Sequence, residues 1–345
     1  MTTEKRLIVV VGATGNQGGS VARRFLKDPR FTVRGLTRNT SSPAAQELAA
    51  LGAEMVAIDL DDVETLKPAF KGANVIFSVT QYWEPFFRPD HRALAKEQGI
   101  TCRKFAYDTE LRHGKNIADA AATTVDSLDP NGFLASTTSS ARRCSNGRFQ
   151  DLYHYDAKAD IFPYYVAESL PALHAKASYI QTGFFMTSHQ ILPNSYFNKQ
   201  PDGSFEMRFC MPATKTTPQL DVNRDTGNFV YAVYQRPPGG EYMAAGSQIS
   251  WGDYIALWSK VTGVKAVYKE VTYDEQVAAE DDYDKGVEIA LMFDYSGNPG
   301  YDGGVDLLTF EDLRKDGIDC PMTSLEEFFR AQDWSAIINK PVDTR

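Results

Sequence analysis

Cysteine is scarce in this chain. The four present (Cys102, Cys144, Cys210 and Cys320) are widely scattered and form no Cys-x-x-Cys pair. That argues against a zinc site or a disulfide framework and for a reducing, cytoplasmic setting. The five histidines (His91, His113, His154, His174 and His189) show no ligand spacing such as His-Glu-x-x-His, so no metal is expected. Positive charge is in deficit: 36 Lys and Arg stand against 45 Asp and Glu, a net charge of −9. A broad electrostatic footprint for nucleic acid is therefore excluded. No run approaches the roughly 18 apolar residues of a membrane span, and the first apolar run, residues 7–11, is too short for a secretory signal. A hydrophobic fraction of 43% excludes a mainly disordered chain. A length of 345 residues points to one large α/β domain with a smaller lobe.

What is present is an alternation of strand and helix. Residues 7–11 form a continuous apolar run, the mark of a strand buried on both faces of a parallel sheet. Helix 20–27, strand 31–36, helix 43–51, strand 55–58, helix 63–70 and strand 75–79 follow, which implies right-handed βαβ units and a doubly wound, Rossmann-type sheet. Residues 82–101, with Pro85 and Pro89, are expected to be a long irregular loop. Further elements are a helix at 114–122, a strand at 132–138, a helix at 157–169 and a strand at 177–181. After Gly183 the texture shifts to Pro, Gly, Asn and aromatic residues, most of which should form the core of the lobe. A strand–helix unit at 242–261 is expected, with Ser250 capping the helix and Gly263 ending it. The expected division is a Rossmann domain over 1–183, to which 222–246 returns, and a smaller α/β lobe from 184–221 and 247–345.

The motif with the most chemistry is Gly12-Ala13-Thr14-Gly15-Asn16-Gln17-Gly18, set between the first strand and the first helix. Glycines there let backbone N–H groups and the helix dipole approach a pyrophosphate. The second strand ends in Thr37-Arg38-Asn39, with no acid to take a ribose 2′-hydroxyl. Arg38 would suit a 2′-phosphate, because its guanidinium offers paired donors and a permanent charge; the alternative is a solvated surface arginine. Asp59 and Leu60, after the third strand, stand where the adenine would be approached, although Asp59 equally suits an ordinary loop. These features point to NADP(H).

Several stretches together resemble the NmrA-like branch of the atypical short-chain dehydrogenase/reductases, in particular its NADPH-sensing type and its fungal relatives. They are residues 12–22, Thr80-Gln81-Tyr82-Trp83-Glu84, His154-Tyr155-Asp156-Ala157-Lys158, Thr182-Gly183-Phe184-Phe185-Met186, and Phe293-Asp294-Tyr295 with Gly300-Tyr301. The resemblance covers nearly the whole chain. It implies a Rossmann domain holding NADP and a C-terminal lobe closing a cleft. It further implies that Lys158 reaches the nicotinamide ribose, that Thr80 and Gln81 follow the cofactor's path, and that Gly183 and Phe184 lie near the nicotinamide. An orthodox member uses Tyr-x-x-x-Lys; here His154 stands four before Lys158 and Tyr155 three before. Ser136, Thr137, Thr138 and Ser139 put hydroxyls at the end of the fifth strand.

Helical spacing would place His154, Tyr155 and Lys158 on one face. Histidine is a tunable acid near neutral pH, whereas tyrosine titrates near 10 when unperturbed. A cap or core hydrogen bond is the alternative role for His154, and core packing for Tyr155. Tyr82, Tyr164 and Tyr165 are further proton-donor candidates. The expected activity is NADPH-dependent hydride transfer to a C=N, C=O or C=C bond of a hydrophobic small molecule, in fungal-type secondary metabolism. The alternatives are a non-catalytic NADP(H) sensor acting through a protein partner and, third, a cofactor-assisted cyclisation.

Overall fold

The computed structural model describes residues 5–342, so the outermost ends of the expected domain boundaries, 1–4 and 343–345, lie outside the described residues. Strand β1 (Arg6–Val10) opens it, with Ile8, Val9 and Val10 fully buried. An unbroken apolar strand has no polar face to give to water and must be covered on both sides. β2 (Phe31–Thr37), β3 (Glu54–Ala57), β4 (Val75–Ser78), β5 (Phe133–Thr137) and β6 (Ala177–Thr182) follow. Then come β7 (Phe184–Phe185), β8 (Asn198–Lys199), β9 (Phe205–Phe209), β10 (Thr216–Leu220), β11 (Glu241–Ala244), β12 (Ser247–Ser250) and β13 (Ala266–Glu270).

Seven strands form one parallel sheet in the order β11-β6-β5-β4-β1-β2-β3. From β1 the chain moves outward through β2 and β3, then returns to β4 on β1's other side. The crevice at the carboxyl ends of β1 and β4 is thus the switch point where such sheets receive ligands. One face is covered by helix α1 (Asn16–Leu26), which packs on the helix Val222–Tyr234. α2 (Pro43–Ala50) and α3 (Val63–Phe70) follow β2 and β3. The opposite face is filled by Leu66, Phe70, Ile117, Ile161 and their neighbours. Among the described residues no helix is long and apolar enough to cross a membrane.

Residues 82–101 are not an irregular loop. They form α4 (Trp83–Phe87) and α5 (Pro89–Glu97), and α6 (Cys102–Ala122) begins well before residue 114. Pro85 lies in the first turn of α4 and Pro89 at the first position of α5, where a missing N–H forfeits no helical bond. Thr101 caps α6 by accepting from the Lys104 N–H at 3.1 Å. The helix expected over 157–169 starts earlier, as Tyr153–Ala159, and breaks at Phe162 (φ −125°, ψ 105°) before resuming as Val166–Ser169. The Pro163 ring disfavours helical backbone at the residue before it.

The lobe carries two small sheets, β12-β10-β7 and β13-β9-β8. Its core is aromatic: Phe209 stacks on Phe293 with centroids 3.9 Å apart, beside buried Trp251 and Trp258. Ser250 caps the helix Trp251–Thr262 by accepting from the Asp253 N–H at 3.1 Å, and Gly263, at φ 74°, ends it.

Candidate functional site

After β1 the chain turns through Gly12 at φ +63°, a conformation that side chains disfavour. The Gly15 N–H donates to the Gly12 carbonyl at 2.9 Å and closes the turn. Gly18 lets α1 sit directly on this loop: a Cβ there would lie 2.3 Å from the Gly12 oxygen and 2.9 Å from the Val11 oxygen. Gly15 differs, since its Cβ would meet only the Gly12 oxygen at 3.4 Å and the residue is exposed. It is the N-cap of α1, and no side chain caps that helix. The first-turn N–H groups therefore await an outside acceptor, and an anion is what a helix start favours. The loop fits a dinucleotide pyrophosphate.

Other residues singled out in the sequence fall into two groups. Thr14 Oγ1 lies 3.2 Å from Thr37 Oγ1 and ties the loop to the end of β2. Arg38 follows β2, its side chain about two-thirds exposed at 66%, and pairs with Glu84 of α4 at 2.5 Å. Asp59 is exposed and accepts from the Asp61 N–H at 2.9 Å, while the Leu60 carbonyl accepts from Asn116 at 2.8 Å. The second group is committed to the fold. Thr137 donates to the Phe162 carbonyl at 2.5 Å. The Thr182 carbonyl accepts from the Tyr301 hydroxyl at 2.6 Å. Gly183 lies against Pro218, whose carbonyl carbon would be 2.8 Å from a Cβ.

Beside the loop opens a cavity of about 400 Å³. Asn16 and Gln81 line its loop side, and Trp83, Phe87, Phe184 and Phe293 supply apolar wall. A larger hollow of about 580 Å³ in the lobe, lined by Arg208 and Lys269, shares no residue with it. Two buried titratable side chains line the cavity, His154 and Tyr196, and burial pushes the Tyr196 hydroxyl upward. The His154 Nδ1 lies 2.6 Å from Glu288 Oε1, which also accepts the His154 backbone N–H at 2.8 Å. The other Glu288 oxygen accepts from Arg103 Nε at 2.7 Å, and Arg103 donates further to the Asp151 carbonyl. Burial alone pushes the Glu288 carboxyl up, but the His154 hydrogen bonds and the Arg103 charge outweigh it and hold it below the usual range.

Lys158, one turn after His154, directs Nζ to Glu110 Oε1 at 2.6 Å, and Thr80 Oγ1 donates to the same oxygen at 2.6 Å. Glu110 is fully buried. Tyr155 does not share this face. Only 2% exposed, it packs on Tyr295 and Tyr301 at centroid distances of 5.5 and 5.7 Å, and its hydroxyl is pushed well above 10 by burial. It does not line the cavity, so the expectation of one shared face is corrected. Tyr82 donates to the Arg103 carbonyl at 3.2 Å and Tyr165 to Asp119 at 2.7 Å, while Tyr164 lies beneath Arg143. The sequence reading missed Glu110, Glu288 and Arg103.

The NmrA-like family matches residues 4–329 of the chain. The NmrA-like family domain-containing oxidoreductase hkm9 of Aspergillus hancockii is 43% identical over 128 residues, 33% of this chain and 38% of that protein's length. The corresponding oxidoreductase lnaB of Aspergillus flavus is 27% identical over 311 residues, 86% of this chain and 85% of that protein. The crystal structure of NmrA, a negative transcriptional regulator, in complex with NADP has a TM-score of 0.69 at 19% identity and covers 95% of both chains. Triphenylmethane reductase of Citrobacter sp., complexed with NADP(H), has a TM-score of 0.63 at 16% identity over 94% of this chain and 99% of that one. A match that runs from before β1 past the helix bearing Glu288 takes in the glycine loop and the cavity wall alike, and the chain belongs to the NmrA-like family.

Proposed function

We propose that this chain is an NADPH-dependent reductase acting on a hydrophobic small molecule held in the cavity beside the glycine loop. The observation that carries the proposal is contiguity: Asn16 belongs both to the loop built for a pyrophosphate and to the wall of an apolar cavity with few polar groups. Bound there, the dihydronicotinamide would supply hydride. The α1 N–H groups would hold the pyrophosphate, Arg38 the 2′-phosphate, and Lys158 with Gln81 the nicotinamide half. Trp83, Phe87 and Phe184 would exclude water from the reacting carbon. The names of the fungal relatives and the NADP(H) complex of triphenylmethane reductase support this reading. The test is NADPH consumption with neutral quinones, enones and cationic dyes. Binding of NADPH without turnover of any acceptor would reject it.

A second reading, an NADP(H) sensor that changes contacts with a protein partner, draws on one observation. His154 stands where an orthodox short-chain enzyme has its tyrosine, and the adjacent Tyr155 is in the core. NmrA itself is described as a negative transcriptional regulator. A partner that binds only one redox form of the loaded protein would favour it.

A further inference from the structure

Glu288 is an acid inside an apolar stretch, Val287-Glu288-Ile289-Ala290-Leu291-Met292, and it is fully buried at 0% exposure. A carboxylate removed from water must be matched by donors or it neutralises. Three donors meet it: the His154 backbone N–H, the His154 ring and Arg103, the last itself only 8% exposed. One of these contacts holds the imidazole through Nδ1, and a second ties the backbone of the same residue to the same oxygen. With Nδ1 facing the carboxylate, the ring is held in one orientation and the Nδ1–H tautomer is favoured when it is neutral. Nε2 is then the nitrogen left for a ligand, and the ring lines the cavity.

We propose that His154 is the proton donor of the reductase and that Glu288, braced by Arg103, is its positioning residue, so that the acceptor is a neutral carbonyl or enone. The inference rests on the reductase reading above. Reduction of such an acceptor takes up a hydride at carbon, with both electrons, and a proton at oxygen. The C=O π pair becomes the new O–H bond as the Nε2–H bond of the imidazolium breaks, and solvent returns a proton to the neutral ring. The nicotinamide dinucleotide leaves oxidised. An iminium or cationic dye needs hydride alone and makes no use of His154.

The experiment compares the full-length protein with His154→Gln and Glu288→Gln, using NADPH with a neutral naphthoquinone and with a cationic triphenylmethane dye. The kcat on quinone relative to dye should fall about a hundredfold in His154→Gln and at least about tenfold in Glu288→Gln, with partial recovery in Glu288→Asp. An unchanged quinone-to-dye ratio in His154→Gln overturns the proposal. Nitrogen NMR of the His154 ring gives a readout independent of turnover: the parent should hold the Nδ1–H tautomer, and Glu288→Leu, which offers no acceptor, should lose it. The same tautomer in both overturns the positioning role while the reductase stands. If the parent reduces neither acceptor, the reductase reading and the proton donor fall together. Should Glu288→Gln fail to fold, His154→Gln alone decides the donor.

Discussion

The glycine loop lends itself to a matched pair of substitutions, because two of its glycines have different physical reasons to be glycine. In Gly18→Ala the new methyl would lie 2.3 Å from the Gly12 oxygen and 2.7 Å from its carbon, backbone atoms that cannot rotate away. Overpacking of this kind costs about 1–3 kcal/mol, offset by up to about 1 kcal/mol of helix propensity. A net loss of about 1–2 kcal/mol corresponds to a fall in Tm of roughly 2–6 °C in a chain of this size. In Gly15→Ala the nearest atom is 3.4 Å away and the backbone (φ −90°, ψ 176°) suits any residue, so the loss should stay within about 1 kcal/mol of N-cap preference. Its methyl would instead stand where a pyrophosphate must reach the N–H groups. Thermal unfolding with and without NADPH separates the two effects, since a ligand at a hundred times its Kd stabilises by about 2.7 kcal/mol. Gly18→Ala should melt early, and Gly15→Ala should lose at least about 1.4 kcal/mol of the NADPH-induced gain, the equivalent of tenfold in affinity. A Gly18→Ala protein as stable as the parent, or a full NADPH shift in Gly15→Ala, would refute the reasoning.

Three further outcomes follow from the same geometry. Arg38→Ala should weaken NADPH by the roughly 1.5–3 kcal/mol of a charge-assisted hydrogen bond and leave NADH little changed; removing the Arg38 ion pair through Glu84→Gln should tighten NADPH by up to about fivefold, both read by calorimetry. Lys158→Ala should lower Tm as well as turnover, since it strands the fully buried Glu110 at a cost of about 3 kcal/mol, and adding Glu110→Gln should restore much of the stability but not the turnover. Burial pushes Asp225 up to about 6, against the opposing hydrogen bonds from Thr323. Its contribution is complete below the unfolded value of about 3.9 and is lost as pH rises through about 6. Asp225→Asn should therefore flatten the fall of Tm between about pH 4 and about pH 7, and an unaltered slope would show that another group governs it.

Most of the Rossmann layer was legible because its signals are local. A fully buried strand must read as an apolar run, and the loop after it must read as glycine where α1 rests on Gly12. The site was less legible because its contacts join distant segments. Nothing near Lys158 in sequence announces Glu110, although Ala106, Glu110, Gly114, Ile117 and Ala121 lie on one buried stripe of α6. A reading that begins this helix at residue 114 loses that stripe. Glu288 did carry a signal, an acid in the run from Val287 to Met292, yet its partners lie 134 and 185 residues away. Tyr155 was misplaced for the opposite reason. Helical spacing brings it near Lys158, but the lobe presents Tyr295 and Tyr301 to its other side, and an aromatic ring follows the larger apolar contact.

The central claim is hydride delivery from a dinucleotide on the glycine loop to a molecule in the adjoining cavity. Its most direct measurement is mass spectrometry of the product formed from NADPH deuterated at nicotinamide C4 and a neutral enone, in which the delivered label ends in a C–D bond that does not exchange with water. The account predicts one deuterium in the product, transferred from the reactive C4 position in step with enone reduction, in the parent and more slowly in Gly15→Ala at the same subsaturating NADPH concentration. NADPH that binds to the loop and keeps its deuterium with every acceptor would contradict it.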